Sequence, residues 1–539
     1  MSLLKSTLTD RKISVLEYAV IIITALIPLL FTHPYRINLF LAWEGAFRMS
    51  NGEIPYRDFG SPVGYGFWVL PALFFKIFGP YVFTLLIFQS AVNIGSGLLF
   101  RALLNVFHVP SGIRFLAVLI FCLSYSMFNF WPWYNHLVVV FEIASLCILC
   151  SQILKEQSAR KPWLLVVSAF LMAFSFLTKQ DTGALGAMIA VALVIFDFVF
   201  ERKFRTALFF VGGYVASMAL LIVPFLQYEF GYWFNMGQFP HYARVDKFDI
   251  VNEFLGASQM IKLYLLLFVA ILFLHFRELK EWKTQKRFLL FALLTLCILG
   301  QASVIQVTSY TPIDGNIYFH SFAFAFIGFF FLRSLSLQHG LTLAVFSILI
   351  CLWWSGTFWT RFLKQRVESL LVKDHGDREN VISKRTYLLS TDTMSYSRSN
   401  WIVPPGVASF KRIRIPEGTA EGIARLRNMP EMQKPGVRFL NMSELTPLAH
   451  DFNLELEKGA DFPLWFHKGV SFFDREVEYF CDKVGRREYD VILFEDIPNV
   501  NQFYPYEVRD CIKEHYVLKD KFLAPRIPEI SYIEVYTRK

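Results

Sequence analysis

The sequence contains few charged residues. Asp, Glu, Lys and Arg make up 18% of its 539 residues, whereas 55% are hydrophobic and the mean hydropathy is +0.41. Soluble domains carry about 25% charged residues. A water-soluble core cannot absorb this much apolar surface, so lipid must solvate part of the chain. The net charge of +9 therefore indicates basic cytoplasmic loops rather than a surface that binds nucleic acid.

The sequence also lacks several common enzyme signatures. Its polar C-terminal part has no glycine-rich phosphate loop and no nucleophile elbow. No motif in that part therefore indicates a nucleotide-binding site or a serine hydrolase. The seven cysteines show no metal-ligand spacing, and five lie in apolar runs, where cysteine behaves as a small hydrophobe. Cys481 and Cys511 lie in the polar C-terminal part. They form a disulfide if this part faces an oxidising compartment, and two separate thiols are the alternative.

Long apolar runs are the dominant feature of the first 360 residues. Runs of about 17 to 25 residues cross a hydrocarbon core about 30 Å thick. No small-residue cleavage site follows the first run, so we interpret it as an uncleaved span. A further apolar run at 63–78 contains Pro71 and Lys76 and is typical of a helix at the membrane interface. About eleven spans are predicted, at 15–31, 81–104, 115–130, 137–154, 162–178, 183–200, 206–228, 258–276, 288–308, 317–333 and 340–359.

The distribution of Lys and Arg predicts the orientation of these spans. With the N-terminus in the cytoplasm, the inner segments contain 17 Lys or Arg and the longer outer loops contain 7. This is the asymmetry that the positive-inside rule requires. An odd number of spans then places the C-terminal part outside the cytoplasm.

The composition changes at residue 361 to that of a soluble fold. Four β-rich runs, at 387–390, 437–440, 491–494 and 532–536, alternate with helical patterns at 420–428, 475–485 and 505–515. This alternation predicts a small α/β domain with a partly parallel sheet. The fold class is therefore a polytopic α-helical membrane protein, with a transmembrane domain at 1–360 and an extracytoplasmic soluble α/β domain at 361–539.

The first outer loop, at 32–80, is the most informative segment. It combines carboxylates, arginines, aromatic residues and Gly/Pro turns, and long structured loops in compact proteins are usually functional. It contains Gly-x-x-Pro-Tyr-x-Asp-Phe at 52–59, Pro-x-Gly-Tyr at 62–65 and Phe-Gly at 78–79. With one span before it and an apolar helix after it, this pattern resembles the GT-C superfamily. These are glycosyltransferases that use polyprenyl-phosphate sugars, such as protein mannosyltransferases and the lipid A aminoarabinose transferase.

The resemblance implies an inverting transfer in which a first-loop carboxylate acts as general base on the acceptor hydroxyl. Carried over to this sequence, Glu44 is the candidate base, and Asp58 is a second carboxylate that positions the acceptor or binds a divalent metal. Asn38 stands where members of the superfamily often have an Asp. The structural alternative for Glu44 is a salt bridge with Arg48, four residues on along a helix. The alternative for Asp58 is a turn or cap residue.

Cations or a metal must stabilise the departing phosphate. The candidates at the outer face are Arg57, Lys179 and Arg244, with His320 as a hydrogen-bond donor. Arg57 and Asp58 are adjacent and also suit a simple neutralising pair, and Lys179 suits a side chain that snorkels to the interface.

Other polar residues are weaker site candidates. His136 and Glu142 lie in the outer half of one span, where a buried charge is costly unless it is paired. Glu142 also suits a bond between helices, and His241 suits an ordinary interface histidine, as His320 does. Separately, Gln89 and Asn93 share a helical face and are expected to bond a neighbouring helix, and Asp197 lies beside the basic run at 202–205 and is interpreted as structural.

The leading hypothesis is thus a membrane glycosyltransferase in the bacterial plasma (inner) membrane. Its expected partners are a polyprenyl-phosphate-linked sugar, a lipid, glycan or protein acceptor, and membrane lipids; no cofactor is certain beyond the possible metal. One alternative is a transporter or flippase of lipid-linked saccharides, which predicts related halves and polar or broken helices near the bilayer midplane. Another is an inactive scaffold of the cell envelope.

Overall fold

The computed structural model describes most of the chain. The described residues are 7–36, 39–61, 63–234, 247–257, 259–274, 285–309, 318–332, 335–359, 401–464, 466, 471–497, 504–526 and 530–539.

The first 360 residues are almost entirely helical where they are described. The helices are α1 Asp10–Leu26, α2 Leu39–Ser50, α3 Gly66–Phe78, α4 Val82–Val106, α5 Ser111–Ser124, α6 Tyr134–Ile153, α7 Pro162–Thr178, α8 Gln180–Glu201, α9 Arg205–Ile222, α10 Lys247–Asn252, α11 Gln259–Leu274, α12 Lys286–Ser309, α13 Phe319–Phe331 and α14 Gly340–Phe358. Each of the eleven predicted spans overlaps one helix, and α2, α3 and α10 account for the other three.

Among the described residues, seven helical stretches are long and apolar enough to cross a membrane: those built on α1, α4, α5, α6, α8, α9 and α12. Helices α7, α11, α13 and α14 are apolar but shorter, so the number of eleven spans stays a prediction. The face of α9 that points away from the other helices is apolar, and Leu208 and Leu220 on it are each 68% exposed. Exposed apolar surface of this kind needs lipid or another protein to cover it.

Buried ion pairs tie the helices together at one end of the bundle. Asp197 in α8 accepts from Arg160 Nη2 at 3.0 Å and from Lys286 Nζ at 2.9 Å. In the same way, Glu17 in α1 accepts from Arg101 and Arg114. A buried charge inside a bundle is stable only when it is paired, which supports the structural interpretation of Asp197.

The C-terminal part is a mixed α/β domain. The strands of its larger sheet are β4 Phe439–Met442, β5 Val491–Asp496, β6 Tyr516–Leu523 and β7 Tyr532–Arg538; its helices are α15 Glu417–Arg427, α16 Leu448–Asp451, α17 Phe473–Gly485 and α18 Tyr506–His515. In this sheet β4 pairs parallel with β5, which pairs antiparallel with β7, and β6 pairs antiparallel with β7. The partly parallel sheet is confirmed. The predicted strand at 387–390 lies outside the described residues, and the domain boundary at 360 stays a prediction.

The two cysteines of this domain are paired. Cys481 in α17 and Cys511 in α18 form a disulfide with Cα atoms 5.6 Å apart. Of the two possibilities that the sequence left open, the structure adopts the disulfide, which joins the two helices covalently.

The first loop is hydrogen-bonded to the C-terminal domain. Strand β1 (His33–Pro34) pairs parallel with β3 (Ile413–Pro416), which pairs antiparallel with β2 (Trp401–Ile402). Further along the loop, the Gly60 N–H donates to the Phe462 carbonyl at 2.7 Å. We call the contact surface between residues 39–61 and residues 439–464 the loop–domain junction. It places the loop and the domain at the same end of the helices, as the predicted orientation requires.

Candidate functional site

Helix α2 is the buried centre of the first loop. The indole of Trp68 in α3 crosses it and donates to the Leu41 carbonyl at 2.9 Å. Glycine is required at position 45 because a Cβ there would lie 2.3 Å from Cε2 of Trp68. The sequence Trp-Glu-Gly therefore lets α3 pack directly against α2, and it turns the neighbouring Glu44 into the loop–domain junction rather than into solvent.

Glu44 forms the salt bridge that the spacing of four residues predicted as its structural role. Arg48 donates to Glu44 Oε1 from Nε at 2.9 Å and from Nη2 at 2.7 Å. The same guanidinium also donates from Nη1 to Glu53 Oε2 at 2.9 Å and to the Glu457 carbonyl at 2.8 Å, and it lies over the ring of Phe462. Arg48 thus connects the candidate base to the C-terminal domain.

The environment of Glu44 suits a proton acceptor. Burial raises the pKa of its carboxyl group above the ordinary value, and the charge of Arg48 offsets this only in part. A carboxylate is a stronger base when its pKa rises toward the working pH. Only Oε1 is used by Arg48, and Oε2 has no donor among the described residues.

A small cavity lies beside Glu44. Glu44 and Arg48 line it from α2, and Asn441, Thr446 and Phe462 are among the residues that line it from the C-terminal domain. It has room for about one water molecule. The cavity is formed only where the loop meets the domain, so neither part contains it alone.

Asp58 is a turn residue in this structure. Its Oδ2 accepts from the Ile54 backbone N–H at 2.7 Å, and its two oxygens accept from Arg57 Nε and Nη2 at 2.9 and 2.7 Å. Tyr56, within this turn, is buried and has a φ of 67°, a backbone conformation that is rare for a residue with a side chain. The hydrogen bonds from Arg57 lower the pKa of Asp58, which makes it a weaker base than Glu44.

The two predicted phosphate-binding cations that lie within the described residues pair with carboxylates. Arg57 is exposed and pairs with Asp58, and Lys179, between α7 and α8, lies 3.0 Å from Asp181 Oδ2 and near the ring of Tyr134. Arg57 belongs to the first loop, and Lys179 lies near it, because Gly64 and Gly66 of the loop pack against Leu177 and Thr178. Arg244 and His241 lie outside the described residues, as does Asn38.

The remaining candidates lie inside the helical bundle. His136 Nδ1 lies 3.0 Å from Gln89 Nε2, and Asn93 donates to the Asn129 carbonyl. Gln89 and Asn93 therefore bond neighbouring elements as expected. His320 Nδ1 lies 2.9 Å from the hydroxyl of Tyr264.

Glu142 forms bonds between helices. Its carboxyl group accepts from Gln301 Nε2 at 2.7 Å and from the Tyr318 hydroxyl at 3.1 Å. Within the described residues, no hydrogen bond or ion pair joins Glu142, His136 or His320 to the first-loop carboxylates. Glu44, Arg57 and Asp58 all lie in the first loop, where Glu44 pairs with Arg48 and Asp58 pairs with Arg57, and these three lie elsewhere.

The described residues do not form a divalent-metal site. In the described ranges, no three His, Cys, Asp or Glu side chains converge as ligands. Glu44 and Asp58 each face an arginine instead. Asn441 and Thr446 were not among the sequence candidates, because they lie about 400 residues after Glu44 in the chain and no motif marks them.

No family model and no curated protein matches this sequence. Among solved structures, the chain is similar to ArnT from Cupriavidus metallidurans, solved with undecaprenyl phosphate and in the apo state. The identity is 12%, the TM-score is 0.46, and 97% of each chain is covered.

The chain is also similar to the arabinofuranosyltransferase AftD from mycobacteria, with 14% identity and a TM-score of 0.40, over 99% of this chain and 40% of AftD. Both proteins are GT-C glycosyltransferases, the superfamily that the first-loop motif resembles. At these identities and TM-scores, the likeness by itself carries no conclusion about activity.

Proposed function

We propose that this chain is an inverting membrane glycosyltransferase that moves a sugar from a polyprenyl phosphate to a hydroxyl of an extracytoplasmic or lipid-linked acceptor. The observation that carries the proposal is Glu44, a buried first-loop carboxylate with a raised pKa beside a cavity. It is supported by the first-loop motif, whose Tyr56 has a rare backbone conformation of the kind that clusters at functional sites.

In this mechanism Glu44 removes the proton of the acceptor hydroxyl as its oxygen attacks the anomeric carbon of the donor sugar. The bond between that carbon and the phosphate oxygen breaks, the configuration inverts, and the polyprenyl phosphate leaves with the electron pair. Arg48 holds Oε1 of Glu44, so Oε2 is the oxygen that receives the proton. In this proposal Arg57 and Lys179 stabilise the departing phosphate, for which they exchange their carboxylate partners Asp58 and Asp181.

One observation favours a second candidate function, an inactive envelope scaffold. The Glu44–Arg48–Glu53 network is a complete structural bridge to the C-terminal domain. A carboxylate that serves only this bridge needs no substrate.

The test measures transfer of radiolabelled sugar from an undecaprenyl-phosphate sugar by the full-length protein in lipid nanodiscs. Glu44→Gln keeps the size of the side chain and removes the base, and we expect transfer to fall by about 10²–10⁴-fold. Glu53→Gln is the matched control, because Glu53 also accepts from Arg48 but does not line the cavity. No transfer by the wild type favours the inactive scaffold. Equal losses in both variants mean that Glu44 acts only through the Arg48 bridge, and undiminished transfer in Glu44→Gln also removes Glu44 as the base.

A further inference from the structure

The cavity beside Glu44 is lined by a buried hydroxyl of the C-terminal domain that lacks a partner among the described residues. Thr446 is 4% exposed, lines the cavity, and its hydroxyl has no hydrogen-bond partner among the described residues. Buried hydroxyl groups are normally hydrogen-bonded. A buried hydroxyl without a partner at a cavity therefore indicates a position where a ligand or a water molecule completes the site.

Two further groups around the cavity are complementary to a hydroxyl. The carbonyl oxygen of Asn441 accepts from Ser443 at 2.6 Å, which leaves its amide nitrogen as the donor. On the opposite side, Glu44 presents Oε2 as an acceptor. A donor, an acceptor and a hydroxyl that can do either are the groups that bind an alcohol.

The two sides of the cavity are fixed to each other. Arg48 of α2 donates to the Glu457 carbonyl, Gly60 exchanges backbone hydrogen bonds with Phe462 and Leu464, and Lys458 lies 3.5 Å from Glu53. A site whose groups are held by such bonds binds with little ordering cost. Its shape therefore exists before any ligand arrives.

We infer that the C-terminal domain forms the second half of the acceptor subsite, with one hydroxyl of an uncharged glycan bound between Glu44 and Thr446. This inference rests on the proposed function, because it assigns the acceptor to the cavity beside the proposed base. The cavity admits a hydroxyl and not a whole ring, so the ring lies at its mouth. Phe439 and Leu440, both buried, form the apolar inner wall of the cavity.

The charges at the cavity select against anionic acceptors. Glu455 is exposed at the cavity. The carboxylate of Glu457, which also lines it, is bound by Lys483, Tyr479 and Tyr489, and the cation Arg48 is paired with Glu44 and Glu53. Like charges that face each other across an interface are costly. The exposed carboxylate of Glu455 therefore repels an acceptor with a carboxylate or a phosphate next to the reacting hydroxyl and leaves a neutral sugar as the better ligand.

The test is a binding titration of the full-length protein in nanodiscs by saturation-transfer NMR, with methyl α-glucopyranoside as the neutral probe and its glucuronide as the anionic probe. Thr446→Val keeps the shape and removes the hydroxyl. Thr537→Val is the matched control, because Thr537 in β7 is also buried, also lacks a partner among the described residues, and does not line the cavity. Thr446→Ser restores the hydroxyl.

We expect the neutral probe to bind the wild type, Thr537→Val and Thr446→Ser alike, and to bind Thr446→Val about tenfold more weakly, the effect of one hydrogen bond. The glucuronide should not compete. Equal binding by Thr446→Val, or no binding of either probe to the wild type, overturns the inference and leaves a buried water as the only occupant. Binding that follows this pattern without any sugar transfer by the wild type supports the subsite and contradicts the proposed function.

Discussion

Two buried carboxylates in this protein have opposite surroundings. Glu44, at the loop–domain junction, pairs with a charged guanidinium and borders a cavity. Glu142, in the helical bundle, accepts from an amide and a phenol and has no charged partner among the described residues. Both are almost fully buried, so burial alone does not separate a reactive group from a structural one. The comparison shows that the free oxygen and the open space beside it are what make Glu44 the better candidate.

The largest expected effect separates these two residues directly. Glu44→Gln should reduce transfer by about 10²–10⁴-fold, whereas Glu142→Gln should change it by less than about threefold. The amide that Glu142→Gln introduces can still accept from Tyr318 and can donate to the free carbonyl oxygen of Gln301. Initial rates of sugar transfer by the two variants in nanodiscs measure both effects. A large loss of transfer in Glu142→Gln would show that the helical bundle belongs to the active site.

The second prediction contrasts the disulfide of the C-terminal domain with the free cysteines of the helices. Cys481→Ser should lower the free energy of unfolding of the domain by about 2–4 kcal/mol, because the disulfide no longer restricts the unfolded chain. Thermal unfolding followed by circular dichroism measures this. Cys122→Ser is the control. It should leave the free energy of unfolding of the C-terminal domain unchanged, since Cys122 is free and its replacement removes no cross-link. Labelling of Cys481 by a thiol reagent without prior reduction would show that the pair is not oxidised.

The third prediction uses the pH dependence of transfer. Glu44 is active only when ionised, so the rate should fall as the pH drops through its pKa, which lies above the ordinary value of 4.5 because of burial. Arg48 lowers that pKa, so Arg48→Gln should move the acid limb of the pH–rate profile to higher pH. An acid limb that stays in place in Arg48→Gln would contradict Glu44 as the titrating base.

The smallest effect is expected at Asp58. Its pKa is lowered in the folded state, so its contribution to stability is present above the ordinary value of 3.8 and is lost only as the pH falls through the lower folded value. Asp58→Asn should therefore cost less than about 1 kcal/mol at neutral pH, since the partner Arg57 is exposed and the pair is screened. Its transfer rate should stay close to wild type, and a loss as large as that of Glu44→Gln would reverse the ranking of the two carboxylates.

Features that depend on local sequence were predictable. Each apolar run overlaps a helix because lipid or a helical core solvates apolar side chains whatever the rest of the chain does. The Glu44–Arg48 pair follows from a spacing of four residues on one helix face, and the Asp58 turn follows from the Pro-Tyr-Arg-Asp sequence. Strand β6 was missed because its residues 516–523 include three charged side chains and read as a polar segment.

What the sequence by itself determined was a membrane-embedded helical part, a smaller polar α/β part and a first loop rich in reactive residues. Only the tertiary structure decided which groups meet. Thr446 and Asn441 line the cavity beside Glu44 although they lie about 400 residues further along the chain. Cys481 and Cys511 form a disulfide rather than two separate thiols. Glu142 accepts a hydrogen bond from Gln301 of another helix. Hydropathy and helical spacing act over a few turns of chain, whereas these contacts depend on how the loop, the bundle and the domain pack against one another.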